Sequence, residues 1–216
     1  MKNIRKSAEP KSLTDFKLKS PISWESIHLP ENQSIYEDCI LQCMEDQHNL
    51  CGYTEIKLNT QYHIDHFIKR SFEHRMIFEW ENMIAAIHDG RFGADYKDNN
   101  IKRSEYNSQT KRYYHILSPV WDNLKNRFTF STNGKISPAS ANDSDAIETI
   151  TIFNLNEDSL CNRRKQAMNA ARCMLQSHIP KEEIVRYLGD EFPSAVLYEL
   201  NQTEYSSSSL THDAQR

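Results

Sequence analysis

No two cysteines in this 216-residue chain are spaced C-x-x-C, so a structural zinc site has little support. The five cysteines are Cys39, Cys43, Cys51, Cys161 and Cys173. An odd number, in a chain that opens without an apolar leader, argues against a disulfide framework. Cys39 and Cys43, one helical turn apart, read as small buried hydrophobes. A long apolar run is also missing, and with it any candidate for a membrane-crossing helix. The opening stretch Met1–Leu13 is basic but has no apolar core like that of a secretion signal, so a cytoplasmic protein is expected. Finally, there is no overall positive charge: 26 Lys and Arg stand against 30 Asp and Glu, a net charge of −4. A chain that holds a polyanion unaided usually shows a basic excess.

The positive charge that exists is local. Lys2, Arg5, Lys6, Lys11, Lys17 and Lys19 crowd the first twenty residues against Glu9 and Asp15. Lys97, Lys102, Arg103, Lys111 and Arg112 are interleaved with Tyr96, Tyr106, Tyr113 and Tyr114, and Arg163, Arg164 and Lys165 form a third group. Each is either a solvated face or a phosphate track.

Residues 1–31 contain Pro10, Pro21 and Pro30 and no clean period, which predicts an extended arm that wraps the domain or a partner. From Ser34 to Leu50, Ile35, Cys39, Ile40, Cys43 and Met44 share one helical face. Rough alternation over Tyr53–Asn59 predicts a strand, and Tyr62–Phe67 a second extended piece. Met83–Ile87 is short and apolar and fits either strand or helix. Gly90 and Gly93 open a turn, and Ala94 to about Arg103 suits a short polar helix. Phe128 and Phe130 before Asn133-Gly134 and Ile136 predict a hairpin with a type I′ turn. Ile147–Phe153 is β-branched, 157–178 and 181–188 are helical in pattern with Gly189 as a stop, and the tail beyond Thr203 is expected to be disordered.

The chemistry-bearing residues lie between these segments: His63-Ile64-Asp65-His66, then Asn82, then Asp95-Tyr96-Lys97-Asp98-Asn99. A carboxylate can hold a divalent ion, which offsets charge on a phosphate and its leaving oxygen. An imidazole can take a proton from water. An Asn side chain can fix the imidazole's tautomer or shape its loop. Adjacent residues at a strand end point to opposite sides, so Asp65 and His66 cooperate only where the strand twists or stops. A hard-oxygen set favours Mg2+ or Mn2+. His63, on the face of Asp65, and His88-Asp89, in a turn, read as structural, while Phe67, Phe78 and Trp80 read as core.

The order Asp65-His66, Asn82 and Asp95–Asn99 resembles the HNH nucleases of the ββα-metal class. Three flanking blocks resemble one subgroup of it: IRKSAEPKSLTDFK over 4–17, SPVWDNLKNRFTFSTNGKISP over 118–138 and TIFNLNEDSLCNRRKQAM over 151–168. That subgroup is the PtuB-like component of Septu anti-phage systems, also found beside retron reverse transcriptases. The likeness covers roughly residues 1–200.

It implies an α+β fold: an arm over 1–31, a ββα nuclease core over 32–110, a hairpin and helical part over 111–203, and a tail over 204–216. It implies phosphodiester hydrolysis of DNA or RNA such as tRNA, with His66 as base, Asn82 and Lys97 as further catalytic residues, and Asp65, Asp95 and Asn99 on the ion, Asp98 being a rival for the last place. Implied partners are a PtuA-like ATPase and a retron reverse transcriptase–msDNA complex. Relatives of this kind carry zinc-binding cysteines near the site. Here Thr54 follows Cys51-Gly52-Tyr53 and Ile87-His88 stands further on, so no structural zinc is expected. The alternative is a catalytically degenerate adaptor that docks the ATPase.

Overall fold

The computed structural model describes residues 1–202, and the tail over 204–216 lies outside them. Its elements in chain order are α1 (Lys11–Lys17), α2 (Gln33–Asp46), β1 (Tyr62–His66), β2 (Met83–Ile87), α3 (Gly93–Asn100), β3 (Tyr106–Asn107), β4 (Arg112–Tyr113), β5 (Phe128–Phe130), β6 (Ile136–Pro138), α4 (Ser144–Ile152), α5 (Asp158–Gln176) and α6 (Lys181–Leu188). A last helical stretch begins at residue 193. The fold is therefore mixed α and β, and its strands form three small antiparallel pairs.

A lone two-stranded ribbon is marginal in water, so β1–β2 depends on what packs around it. In its register Asp65 lies opposite Ile84, and His66 opposite Met83. α2 presents buried Ile35, Cys39, Ile40 and Cys43 toward the pair, the face its spacing predicts. Where α2 ends, His48 and Asn49 take positive φ and turn the chain. The buried Gln47 side chain then donates to the Ala85 carbonyl at 2.8 Å and accepts from the Ala85 amide at 2.9 Å. Those are the backbone groups that an edge strand leaves open, and Gln47 closes them. α3 packs on β2 and completes a β–β–α unit.

The expected strand over Tyr53–Asn59 is a buried turn, in contact with a strand-like partner only at the Leu50–Lys57 bridge. Glu55 has φ +63°, and its amide bonds back to Cys51, while Cys51 bonds to Ile56. Burial there does not alternate: Tyr53, Thr54, Glu55 and Ile56 are all buried in succession, and Leu58 follows.

The arm is not simply extended. It contains α1 and a 3-10 turn over Trp24–His28. Its Ile4, Leu13, Phe16, Trp24 and Ile27 join the core of the same chain. Burial of side chains of this size stabilises the fold by about 1.5–3 kcal/mol each. The Ile4 amide reaches the Pro119 carbonyl at 2.8 Å, and the Met1 ammonium pairs with Glu55 at 2.9 Å with both side chains buried. Leu18 and Ile22 remain outside, at 80% and 89% exposure.

β5 and β6 form the expected hairpin, with Phe130 opposite Ile136. Its turn differs from type I′. Gly134 has φ +81°, whereas Asn133 is absent from the positive-φ residues. The Gly134 amide bonds to the Ser131 carbonyl and the Ser131 amide to Lys135, the three-residue loop that ends in a left-handed glycine. A side chain at Gly134 would collide with the Cys161 carbonyl. The β-branched run after Ser144 folds as α4 rather than a strand. The Asp143 carboxylate caps it by accepting from the Ala146 amide, and Ala146, Thr149, Ile150 and Ile152 are its buried residues. Glu157 caps α5 in the same manner.

Candidate functional site

β1 ends at His66, and its last three residues are buried. A cavity of about 530 Å³ opens at this end, lined by His63, Asp65 and His66 from β1, Asp95 and Asp98 from α3, and Trp24 and Glu25 from the arm. The long β1–β2 connection adds Lys69, Arg70 and His74. Asp65 and His66 point to opposite sides of a strand, yet both reach this cavity because the strand stops there.

The His66 Nε2 lies 2.8 Å from the Ile77 carbonyl. A carbonyl can only accept, so Nε2 carries the proton. Burial pushes the ring's pKa down to about 4, so His66 is neutral at physiological pH and its Nδ1 keeps a lone pair. Trp24 packs edge-on against the ring, with centroids 4.5 Å apart. A hydrogen-bonded, neutral imidazole at a cavity wall has the form of a general base.

Asn82 is fully buried and organises the connection that supplies Ile77. Its Oδ1 accepts from the Ile68 amide at 2.7 Å, and its Nδ2 donates to the Ile68 and Met76 carbonyls at 3.1 and 3.0 Å. It therefore acts on His66 through the loop, by fixing the residue before Ile77, and not by touching the ring.

Lys97 is also fully buried. Its ammonium donates to Asp65 Oδ2 at 2.8 Å and to the His66 and Phe67 carbonyls at 2.9 and 3.2 Å, and lies 3.1 Å from Asp98. These partners leave it no surface from which to meet a phosphate, so in this structure it is a clamp on the end of β1. The Tyr53 hydroxyl donates to the same Asp65 Oδ2 at 2.5 Å. Burial pushes the Asp65 carboxyl up, but the Lys97 charge and these hydrogen bonds outweigh it and hold it below the usual carboxylate range. Asp98 goes the other way: burial and the nearby Asp65 charge raise it despite Lys97.

Asp95 stands in the first turn of α3 and meets two histidines. His63 Nε2 lies 3.8 Å from its Oδ1 and His88 Nδ1 3.3 Å from its Oδ2. The two imidazoles stack, with centroids 3.8 Å apart. One ligand atom from each of His63, His88 and Asp95 falls within 4.8 Å of the others, a set able to hold a divalent ion. His63 Nδ1 is buried without a hydrogen-bond partner among the described residues, while Nε2 is the nitrogen that faces Asp95. Asn99 is exposed and does not line the cavity.

The structure thus brings Asp65, His66 and Asp95 to one cavity, sets Asn82 and Lys97 behind it, and leaves Asn99 outside. Sequence reasoning passed over His63 and His88 as ligands. His63 shares a face with Asp65, two residues away, and that signal was legible. His88 was not, since it joins His63 only through the strand register, one residue beyond the Tyr62–Ile87 pair. The basic groups fare unevenly. Lys6 stacks on Trp80 at 3.3 Å and donates to the Met83 carbonyl, and the buried Arg164 donates to the Gly134 and Leu155 carbonyls. Lys102, Arg103 and Lys111 are exposed.

No protein-family model matches the chain. It is similar to an Escherichia coli protein named retron Ec83 putative HNH endonuclease, with 25% identity in an alignment that covers 84% of each chain. That likeness is distant, and it points the same way as the cluster: toward a metal-binding, nuclease-like protein. Among the described residues no helix is long and apolar enough to cross a membrane.

Proposed function

We propose that this chain is a metal-dependent endonuclease of the HNH kind, acting on phosphodiester bonds of DNA or RNA as the effector of an anti-phage system. The observation that carries the reading is the neutral His66 ring, tied through Nε2 to Ile77, beside Asp65 and Asp95 in one cavity. His66 takes a proton from water at Nδ1. The Ile77 carbonyl keeps the ring in that tautomer, and Asn82 keeps Ile77 in place. Lys97 and Tyr53 hold Asp65 ionised at the cavity wall.

Asp95, with His63 and His88, would hold a divalent ion, and Asp65 Oδ1 takes no hydrogen bond among the described residues. The chemistry such an ion supplies is charge: it offsets the phosphate and the departing oxygen. Lys69 and Arg70 edge the same cavity, but Glu25, Asp65, Asp95 and Asp98 line it too, so a polyanion is drawn there by the ion rather than by the net charge of −4.

The weak global attraction favours a chain that works with partners, and those we propose are a PtuA-like ATPase and a retron reverse transcriptase–msDNA complex. The other reading, an adaptor without catalysis, draws on one observation, the use of Asp65 Oδ2 by both Lys97 and Tyr53.

The test is purification of the chain alone and co-expressed with the neighbouring ATPase, then incubation with DNA and RNA in Mg2+, Mn2+ or EDTA. Metal-dependent cutting, stronger in the complex, is expected. A complex that forms and never cuts makes the chain an adaptor.

A further inference from the structure

One ring nitrogen each from His63 and His88 and one Asp95 carboxylate oxygen lie within 4.8 Å of one another. That donor set differs from the all-oxygen set expected from the carboxylates and Asn99. Mg2+ demands oxygen ligands in a near-octahedral shell and keeps much of its water, whereas imidazole suits the transition metals. The positions of the three residues are also well fixed. His63 comes from the interior of β1, His88 from just past the end of β2 with its amide bonded to Gln61, and Asp95 from α3, which packs on β2. No residue of the arm takes part. Each Asp95 oxygen faces one of the two rings. Asp65, by contrast, already has Lys97 and Tyr53 on one oxygen, so its charge is largely answered by the protein.

We infer that the resident ion of this site is a borderline transition metal such as Ni2+, ligated by His63, His88 and Asp95, and that Mg2+ is a poor occupant. The inference rests on the metal-dependent reading above and names the ion of that same site. The two separate cleanly, because this one is read by binding. Metal held through His88 by a chain that cuts nothing would remove the nuclease reading and leave this inference standing. Cleavage by a chain that holds Mg2+ as tightly as Mn2+ would do the reverse.

The experiment uses full-length protein stripped with EDTA and then freed of it. NiCl2, MnCl2 and MgCl2 are titrated by calorimetry, with melting temperature followed in parallel. Affinity should rise from Mg2+ through Mn2+ to Ni2+. His88→Ala, at a ring whose side chain is 54% exposed and so dispensable for folding, should weaken Ni2+ and Mn2+ about tenfold or more and barely change Mg2+. His88→Asp should narrow the gap between Mn2+ and Mg2+ by supplying oxygen for nitrogen. Pulsed EPR of the Mn2+-loaded wild type should show imidazole nitrogen couplings that His88→Ala reduces. Equal affinity for Mg2+ and Mn2+, or Ni2+ binding untouched by His88→Ala and Asp95→Ala alike, would overturn the inference.

Discussion

Lys97 Nζ and Asp65 Oδ2 meet at 2.8 Å with side chains 0% and 4% exposed, and this buried ion pair joins α3 to the end of β1. The pair sets the distance between the strand that carries His66 and the helix that carries Asp95. It also explains why a lysine in a polar helix, which reads as a surface cation in the sequence, lies inside the protein. Removal of one member leaves the other charged and unpaired. Lys97→Met is therefore expected to cost about 3–5 kcal/mol in urea unfolding, and a cost below about 1 kcal/mol would show that the pair does not hold the unit together.

Asn82 replaces three backbone partners that the β1–β2 connection cannot find within itself. Asn82→Ala strands the Ile68 amide and the Ile68 and Met76 carbonyls in a buried place, at about 1–3 kcal/mol for each group left bare. The loop should loosen around Ile77, so cleavage should fall together with stability. Faster amide exchange at Ile68, with β2 still protected, is the expected signature; unchanged exchange there contradicts the role.

His66 gives the fold a pH dependence of definite sign. Its folded pKa is depressed from 6.5 to about 4 by burial. The unfolded chain takes up a proton that the native state rejects, so stability is complete above the unfolded value and falls as pH drops toward the folded one. Between about pH 7.5 and about pH 5 the loss from this residue is about 2 kcal/mol. His63, also depressed by burial, works in the same direction, and Asp98, raised, opposes it. Urea midpoints at the two pH values should show a loss that shrinks in His66→Gln. An equal loss in the variant means the ring is not buried neutral.

Asn99 and Asp95 sit four residues apart on α3 and should behave differently. Asp95 faces His63 and His88, and Asn99 faces solvent. Asn99→Ala should leave metal affinity and cleavage within about twofold of the wild type, whereas Asp95→Ala should lose about tenfold or more of the bound metal. Equal effects would return Asn99 to the ligand set.

Part of the framework around the site was legible in the sequence. The extended piece over Tyr62–Phe67 contains β1, with Asp65-His66 at its end, and Asp95 lies in the short polar helix, whereas Met83–Ile87, which fitted either strand or helix, is the partner strand. What escaped depends on pairing and on packing. His88 acquires its place from register, and Lys97 its burial from Asp65. The Tyr53–Asn59 alternation was misleading for a physical reason: the segment is a turn in which Tyr53, Thr54, Glu55 and Ile56 are all buried, and Glu55 takes a positive φ that no strand residue takes. The β-branched α4 shows the converse, where the Asp143 cap and a buried face override propensity.

The central claim is that His66 is the proton acceptor of a metal-dependent phosphodiester hydrolysis. Its most direct test compares single-turnover cleavage by the wild type and His66→Ala, each full-length, with the ATPase co-purified, in Mn2+ and with folding confirmed by circular dichroism. The expected result is metal-dependent cleavage that falls about a hundredfold or more in the variant, with metal binding retained. A folded His66→Ala that cuts at the wild-type rate would contradict the account.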